Sequence, residues 1–232
     1  MTGTTPSIVA NRINYVFDLL GPSLPVDTAC SASLTAMHLA MQAVRGGDCD
    51  QAVVAGVNFV NSPLESASFS QLGVLSPDGI SKSFDEAANG YSRADISTYC
   101  LLKITSSINS VLNSHRSFAG GAVVIKRHDF AVRDLDHIYA TLVGCALTSC
   151  GNIMGSLTTP SPEAQSMAIR LAYKDADLEP QHVDFVELHG TGTVVGDSFE
   201  ANAAGALFSQ HRDGRDIVIG SVKSNVGHGE MG

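Results

Sequence analysis

The sequence carries little charge and no long apolar run. Charged residues make up 16% of the 232 positions, hydrophobic residues make up 44%, and the formal net charge is −9. A chain this acidic is a poor partner for nucleic acid or for an anionic membrane surface. No apolar stretch reaches the roughly 18–20 residues that a membrane-spanning helix needs. Low charge with high apolar content favours a globular α/β protein with much buried sheet.

The sequence also lacks the signals of secretion and of a cysteine metal site. Residues 1–6 contain neither the basic nor the apolar region of a secretory signal. The five cysteines are odd in number and never spaced C-x-x-C, which favours reduced thiols in a cytoplasmic protein. Cys145 and Cys150 lie far from any ligand-spaced histidine, so no zinc site is predicted there.

Strand-like and helix-like patterns alternate along the chain. Apolar runs predict buried strands, and periodicity, caps and turns place helices between them. The predicted strands are 23–26, 51–57, 120–127, 137–144, 183–188 and 217–222, and the predicted helices are 8–20, 34–44, 63–70, 162–177 and 197–208. This alternation predicts a layered α/β architecture with a largely parallel sheet.

Three reactive residues each follow a predicted strand: Cys30, His189 and His228. Residues at the carboxyl ends of different strands can converge on one pocket. Cys30 also precedes a predicted helix, whose unpaired N–H groups and dipole favour a thiolate. A thiol with one histidine is typical of acyl transfer, and a second histidine allows a carbonyl to be polarised while an enolate forms. An inert buried thiol and ordinary loop or surface histidines are the alternative.

Together these residues resemble the three active-site motifs of β-ketoacyl synthases. The motifs read DTACSASL at 27–34, ELHGTGT at 187–193 with GD at 196–197, and GSVKSNVGHGE at 220–230. SPDG at 76–79 and FDEAANGYSR at 84–93 match the same pattern. The likeness is strongest to the ketosynthase domain of fungal-type iterative polyketide synthases, and it covers nearly the whole chain except residues 96–118.

The resemblance implies a thiolase-like fold, a five-layered α/β/α/β/α sandwich of two related halves, here truncated at both ends. The chain would be one partial ketosynthase domain over 1–232. Its first-half remainder would span about 1–135 and its second-half part about 136–232. Residues 96–118 would be an insertion that the family lacks.

The resemblance also implies the reaction. Cys30 would hold the acyl chain as a thioester, and its N–H would form part of the oxyanion hole. His189 and His228 would bind the carbonyl of a malonyl thioester and assist loss of its carboxylate as carbon dioxide. The resulting enolate would attack the acyl group in a Claisen condensation. Thr191 and Thr193 would contact the pantetheine arm.

Supporting residues and partners follow from the same likeness. Lys223 and Glu230 would form a charge pair that orients His228, with Asn225 as a further supporting residue. No metal and no resident cofactor are implied, because the phosphopantetheine belongs to an acyl carrier protein. A homodimer in the cytoplasm is expected. Docking of an acidic carrier on this acidic chain would need a local basic patch, which could come from the following cations: Lys126, Arg127 and Arg133.

Residues 96–118 are rich in serine and β-branched residues and contain no acidic residue. We hypothesise that they are a retained intron translated in frame, which sequencing of the spliced transcript would test. A genuine surface insertion is the alternative, although long loops without structure are uncommon in compact domains.

Two functional alternatives are a catalytically inactive fragment and a thioester hydrolase that uses Cys30 and His189. The hydrolase leaves His228 unexplained.

Overall fold

The computed structural model of the chain describes residues 5–58, 60, 62–99, 118–152, 159–209 and 216–230. Its helices are α1 (Ser7–Phe17), α2 (Ala32–Gly46), α3 (Pro63–Gln71), α4 (His128–Arg133), α5 (Pro162–Ala176), α6 (Val194–Phe208) and α7 (Lys223–Val226). Its strands are β1 (Gln51–Val57), β2 (Asp95–Tyr99), β3 (Phe118–Lys126), β4 (Phe185–Glu187) and β5 (Val218–Gly220). Within these ranges, no helix combines the length and apolarity needed to cross a membrane.

The first sheet has the strand order β1-β3-β2 and packs against α2. β3 pairs antiparallel with β1, from Gln51 opposite Lys126 to Val57 opposite Gly120, and parallel with β2. The prediction that the apolar run of β1 is a parallel strand is therefore wrong. Along β1, Val54 is buried while its neighbours on the other face are exposed. One solvated face is common in antiparallel sheets.

The second sheet pairs β4 with β5 in parallel, from Phe185 opposite Val218 to Glu187 opposite Gly220. Helices α5 and α6 pack together beside it. The core under this sheet is a cluster of buried apolar side chains: Leu188, Ala204, Leu207 and Phe208. The sheet and these helices bring the ends of β4 and β5 side by side, where His189 and the 220–230 segment begin.

Two predicted strands do not form. Residues 23–26 are not assigned to a strand, and neither are residues 137–144. Side chains form hydrogen bonds with backbone groups in and beside residues 137–144. Arg45 donates to the Val143 carbonyl at 2.8 Å, and Asp175 accepts from the Cys145 N–H at 3.0 Å. Residues 100–117, most of the interrupting segment, lie outside the described residues.

Candidate active site

Cys30 lies in a tight turn before α2. Ala29 has a left-handed backbone with φ 52°, which is strained for a residue with a side chain. Two side chains brace the turn. Asp27 accepts from the Ala29 N–H at 3.2 Å, and the Ser31 hydroxyl donates to the Thr28 carbonyl at 2.9 Å. The turn therefore places Cys30 ahead of the helix, where part of the residue is exposed while its sulfur is partly desolvated.

The structure brings together three of the predicted site residues. The Cys30 sulfur is 3.2 Å from Nε2 of His228, and the rings of His189 and His228 meet edge to face with centroids 5.2 Å apart. One donor atom from each of the three side chains lies within 4.8 Å of the other two. They come from the turn before α2, the loop after β4 and the segment after α7. A carbonyl held by both imidazoles would therefore lie beside the sulfur.

A backbone contact favours one tautomer of the neutral His228 ring. Its Nδ1 is 3.3 Å from the N–H of Glu230, which can only donate. A neutral imidazole that accepts at Nδ1 carries its proton on Nε2, the nitrogen that faces Cys30. The His228 N–H donates to the Ser92 carbonyl at 2.7 Å, and its carbonyl accepts from the Ala94 N–H at 2.9 Å. His228 is thus an oriented hydrogen-bond donor.

A thiol with two imidazoles is also a donor set that Zn²⁺ accepts. An imidazole that binds zinc donates its other N–H to an acceptor. The Nδ1 of His228 instead faces a donor, the Glu230 N–H. That arrangement leaves Nε2 protonated and without a lone pair for a metal. The geometry fits hydrogen-bond donation better than metal ligation.

Both histidines are neutral near pH 7. Burial of its ring, and to a smaller extent His189 and Lys223, lowers the pKa of His228 to about 3. Desolvation, followed by the charge of Lys223, lowers the pKa of His189 to about 4. His228 has only 2% of its surface exposed. Each ring therefore carries one N–H that can be offered to a ligand without a change of charge.

Acid should destabilise the fold partly through His228. The folded chain keeps this imidazole neutral until its pKa of about 3, whereas an unfolded chain protonates it near pH 6.5. Because the unfolded state binds the extra proton, stability that is present above about pH 6.5 is lost as the pH falls. Between about pH 6.5 and 4.5, we expect this group to remove about 2 to 3 kcal/mol.

Urea unfolding of the unmodified chain and of His228→Gln across this pH range measures that contribution. The variant should lose less stability on acidification, because its amide does not titrate. Equal losses in the two chains would contradict the assignment of a depressed pKa to His228.

The expectation that the helix start lowers the pKa of Cys30 is wrong for this structure. Desolvation raises the pKa of the thiol, and the carboxylate of Glu230 raises it further. A backbone hydrogen bond at Cys30 and the Lys223 ammonium act in the opposite direction but more weakly. α2 begins only at Ala32, two residues after the thiol. Cys30 therefore rests as a thiol at neutral pH.

Two carboxylates of α6 hold the loop that carries His189. Glu200, which sequence reasoning missed, accepts from the N–H groups of His189 at 2.5 Å and Gly190 at 2.8 Å. Asp197 is buried and accepts from the Gly192 N–H at 3.1 Å. Carboxylates three residues apart near a helix start share one face, and they can accept from the N–H groups of a preceding loop. From that spacing, Glu200 could have been predicted from the sequence.

Thr191 and Thr193 lie in the same loop. Thr191 is buried, and the two hydroxyl oxygens are 3.2 Å apart. Gly192 between them has φ 87°, and a Cβ there would lie 2.7 Å from the backbone nitrogen of Lys82. This glycine therefore allows a close approach to the chain's own backbone. Contact of the two hydroxyls with a pantetheine arm stays a prediction.

The expected charge pair between Lys223 and Glu230 is wrong. Glu230 pairs with Arg93, whose Nη2 and Nε lie 2.6 Å and 2.7 Å from its two carboxylate oxygens. A guanidinium fork matches both oxygens of a carboxylate, which an ammonium group cannot do. Desolvation lowers the pKa of Lys223 although the charge of Glu187 opposes the shift. Asn225 lies 3.3 Å from the hydroxyl of the preceding serine, so this contact is local.

Carboxylates of the same segment neutralise the expected basic patch. Each cation lies within hydrogen-bond distance of an acidic side chain: Lys126 of Asp134 and Asp136, Arg127 of Asp129, and Arg133 of Asp134. Both guanidinium groups also stack on Phe130, 4.2 Å and 4.5 Å from its ring centroid. The three cations and three carboxylates cancel, so the patch is a poor docking surface for an acidic carrier.

Comparison with known proteins places the chain in a family. The chain matches the models of the β-ketoacyl synthase N-terminal domain over residues 1–107 and C-terminal domain over residues 139–232. It is 40% identical over 230 residues to the highly reducing polyketide synthase gloL of Glarea lozoyensis, covering 99% of this chain and 8% of that protein. It is 39% identical over 231 residues to the 6-hydroxymellein synthase cdmE of Talaromyces verruculosus, covering 100% and 8%.

Solved ketosynthase structures share the fold. An oxazolomycin ketosynthase domain from Streptomyces albus superposes with a TM-score of 0.83 at 38% identity, covering 98% of this chain and 36% of that one. A ketosynthase from module 6 of the bacillaene synthase of Bacillus subtilis also gives 0.83, at 36% identity and with 98% and 37% covered. The fold is thus that of thiolase-like ketosynthase domains. The chain spans about a tenth of its curated relatives and about a third of these structures.

Proposed function

The chain belongs to the β-ketoacyl synthase family, and from this premise we propose that it forms carbon–carbon bonds by decarboxylative Claisen condensation in polyketide or fatty acid biosynthesis. The substrates are an acyl thioester and a malonyl-type thioester. One observation carries the proposal: the Cys30 sulfur lies 3.2 Å from Nε2 of His228, with a second neutral imidazole, His189, beside it. The arrangement supplies a nucleophile and two donors at one point.

The first half-reaction loads Cys30. Its sulfur attacks the carbonyl of an acyl thioester, the bond from that carbonyl to the donor sulfur breaks, and the Cys30 proton ends on the released thiol. The acyl group is then held on Cys30 as a thioester, which splits one difficult step into two easier ones. We propose that the Cys30 N–H forms part of the oxyanion hole of this step.

The second half-reaction uses the two imidazoles. Their N–H groups hold the malonyl thioester carbonyl oxygen, so that negative charge can move onto this oxygen as carbon dioxide leaves. The enolate carbon then attacks the acyl carbonyl on Cys30, the carbon–sulfur bond breaks, and the thiolate takes up a proton. Since both rings are neutral near pH 7, His189 and His228 stabilise the enolate as hydrogen-bond donors.

The partner that fits this chemistry is an acyl carrier protein that bears phosphopantetheine. Thr191 and Thr193 are proposed to contact the pantetheine arm, and Lys223 and Asn225 to support the site. We propose no resident metal or cofactor, a homodimer in the intact protein, and a cytoplasmic location. The division at about residue 135 and the inserted nature of residues 96–118 belong to the same proposal.

Adduct mapping tests the nucleophile. After incubation with an acyl thioester of N-acetylcysteamine, we expect the acyl group on Cys30 and not on Cys150, which is also exposed. Malonyl thioester should then convert the adduct to a β-ketoacyl product. If the adduct yields only free acid with malonyl thioester present, a cysteine-dependent hydrolase is the better account.

A further inference from the structure

A buried ion pair lies directly behind His228. The side chains of Arg93 and Glu230 retain only 9% and 10% exposure, and the guanidinium meets both carboxylate oxygens. Removing two charges from water has a large free-energy cost that their attraction does not always offset, so such a pair is weak evidence for stability alone. Because the pair lies behind His228 and stability alone does not account for it, we expect it to have a role in the site.

The carboxylate of Glu230 is fully engaged. Besides the two contacts from Arg93, the Tyr91 hydroxyl lies 3.2 Å from Oε1, and Nδ2 of Asn58 lies 3.1 Å from Oε2. Arg93 is tied in turn to α3, where its Nη1 donates to the Ser66 hydroxyl at 2.9 Å. Four donors hold one carboxylate in place, and the backbone of Glu230 is held with it.

Both residues of the ion pair are linked to His228 through backbone hydrogen bonds. The N–H of Glu230 donates to Nδ1 of the imidazole. The residues on either side of Arg93, Ser92 and Ala94, form backbone hydrogen bonds with His228. The Tyr91 ring also meets the imidazole edge to face, with centroids 5.0 Å apart. A break in the ion pair would free the one donor that keeps the proton off Nδ1.

We propose that Arg93 and Glu230 are positioning residues that hold the Glu230 N–H against Nδ1 of His228, so that the imidazole proton stays on Nε2 and faces Cys30. Only the catalytic consequence of this inference rests on the proposed function. The tautomer is a property of the resting chain and can be measured without substrate.

The ion pair also acts on the thiol. The charged and titratable groups around Cys30 are Glu230, Lys223, Tyr91, His189 and His228. The Glu230 carboxylate raises the pKa of Cys30, and Arg93 partly offsets that negative charge. The two variants Arg93→Met and Glu230→Gln should therefore shift the pH midpoint of Cys30 alkylation in opposite directions, upward and downward. A general loss of structure would not shift the alkylation midpoints of the two variants in opposite directions.

Nitrogen NMR of the chain with ¹⁵N-labelled histidine tests the tautomer, and the His228→Gln spectrum identifies the signal of His228. The unmodified chain should show the Nε2–H form. Arg93→Met should lose much of it, whereas Arg127→Met, which removes an exposed pair with Asp129, should keep it. The condensation kcat of Arg93→Met should fall about 10- to 100-fold, with little change in the KM for the acyl thioester.

A folded Arg93→Met chain with the tautomer of the unmodified protein overturns the inference. If this variant does not fold, Glu230→Gln decides in its place, since it keeps the shape of the side chain and removes the charge. An Nε2–H population equal to that of the unmodified chain would overturn the inference there too. An unmodified chain that has the expected tautomer but forms no condensation product would contradict the proposed function alone.

Discussion

A Cys30→Ala chain should form no carbon–carbon product and should still release carbon dioxide from a malonyl thioester. In the proposed mechanism, condensation needs the sulfur, because the acyl group that the enolate attacks is held there. Decarboxylation needs donors to the thioester carbonyl, which we propose to be His189 and His228. We expect condensation to fall at least about 10³-fold, as for loss of a covalent nucleophile. Decarboxylation should stay within about tenfold of the unmodified chain.

Product analysis by mass spectrometry, together with carbon dioxide release, separates the two activities of Cys30→Ala. Cys150→Ala is the matched control, because Cys150 is a second exposed cysteine outside the site. The control should keep both activities. A parallel fall of condensation and decarboxylation in Cys30→Ala would contradict the division of labour between sulfur and imidazoles.

His228→Ala should lose decarboxylation and condensation but keep the loading of Cys30. Removal of one donor to a developing oxyanion lowers rates on the order of 10²- to 10³-fold, and we expect decarboxylation and condensation to fall by that amount. Loading of Cys30 from an acyl thioester should change by less than about tenfold, because no enolate forms in that step. The physical reason is that the Nε2 proton of His228 is already oriented in the resting chain, so its loss removes a preorganised dipole.

Separate assays of acyl loading and carbon dioxide release measure this difference for His228→Ala. His182→Ala is the control, because His182 lies in the 3-10 turn Pro180–His182, which precedes β4, whereas His189 follows that strand. It should behave as the unmodified chain does. Unchanged decarboxylation in His228→Ala would remove this histidine from the enolate step, and an equal loss of loading would assign it a role in activating the thiol.

Local signals in the sequence predict the five longer helices well, although the short helices α4 and α7 were not predicted. α5 begins where expected because the Ser161 hydroxyl accepts from the Ala164 N–H at 3.2 Å, and it ends at Asp177 in a left-handed conformation. Strands depend on distant partners, which local patterns do not identify. The apolar run at 137–144 therefore forms no strand, and the direction of β1 was predicted incorrectly because its partner, β3, lies about 70 residues further along the chain.

The same distinction between local signals and distant partners holds in the candidate active site. Cys30, His189 and His228 could be selected from the sequence because each lies in its own motif. Their supporting contacts could not. Glu230 was expected to pair with Lys223, seven residues away, yet its partner Arg93 is 137 residues distant. The pKa of Cys30 likewise depends on burial and on Glu230, and neither effect can be estimated from the position of a thiol before a helix.

Condensation with a malonyl thioester labelled with ¹³C at its free carboxyl group distinguishes decarboxylative condensation at Cys30 from hydrolysis. We expect the chain, given an acyl thioester, to release one labelled carbon dioxide for each β-ketoacyl product formed, and we expect the product to carry no label. Label retained in the product, or free acid as the only product derived from the Cys30 adduct, would contradict decarboxylative condensation at Cys30.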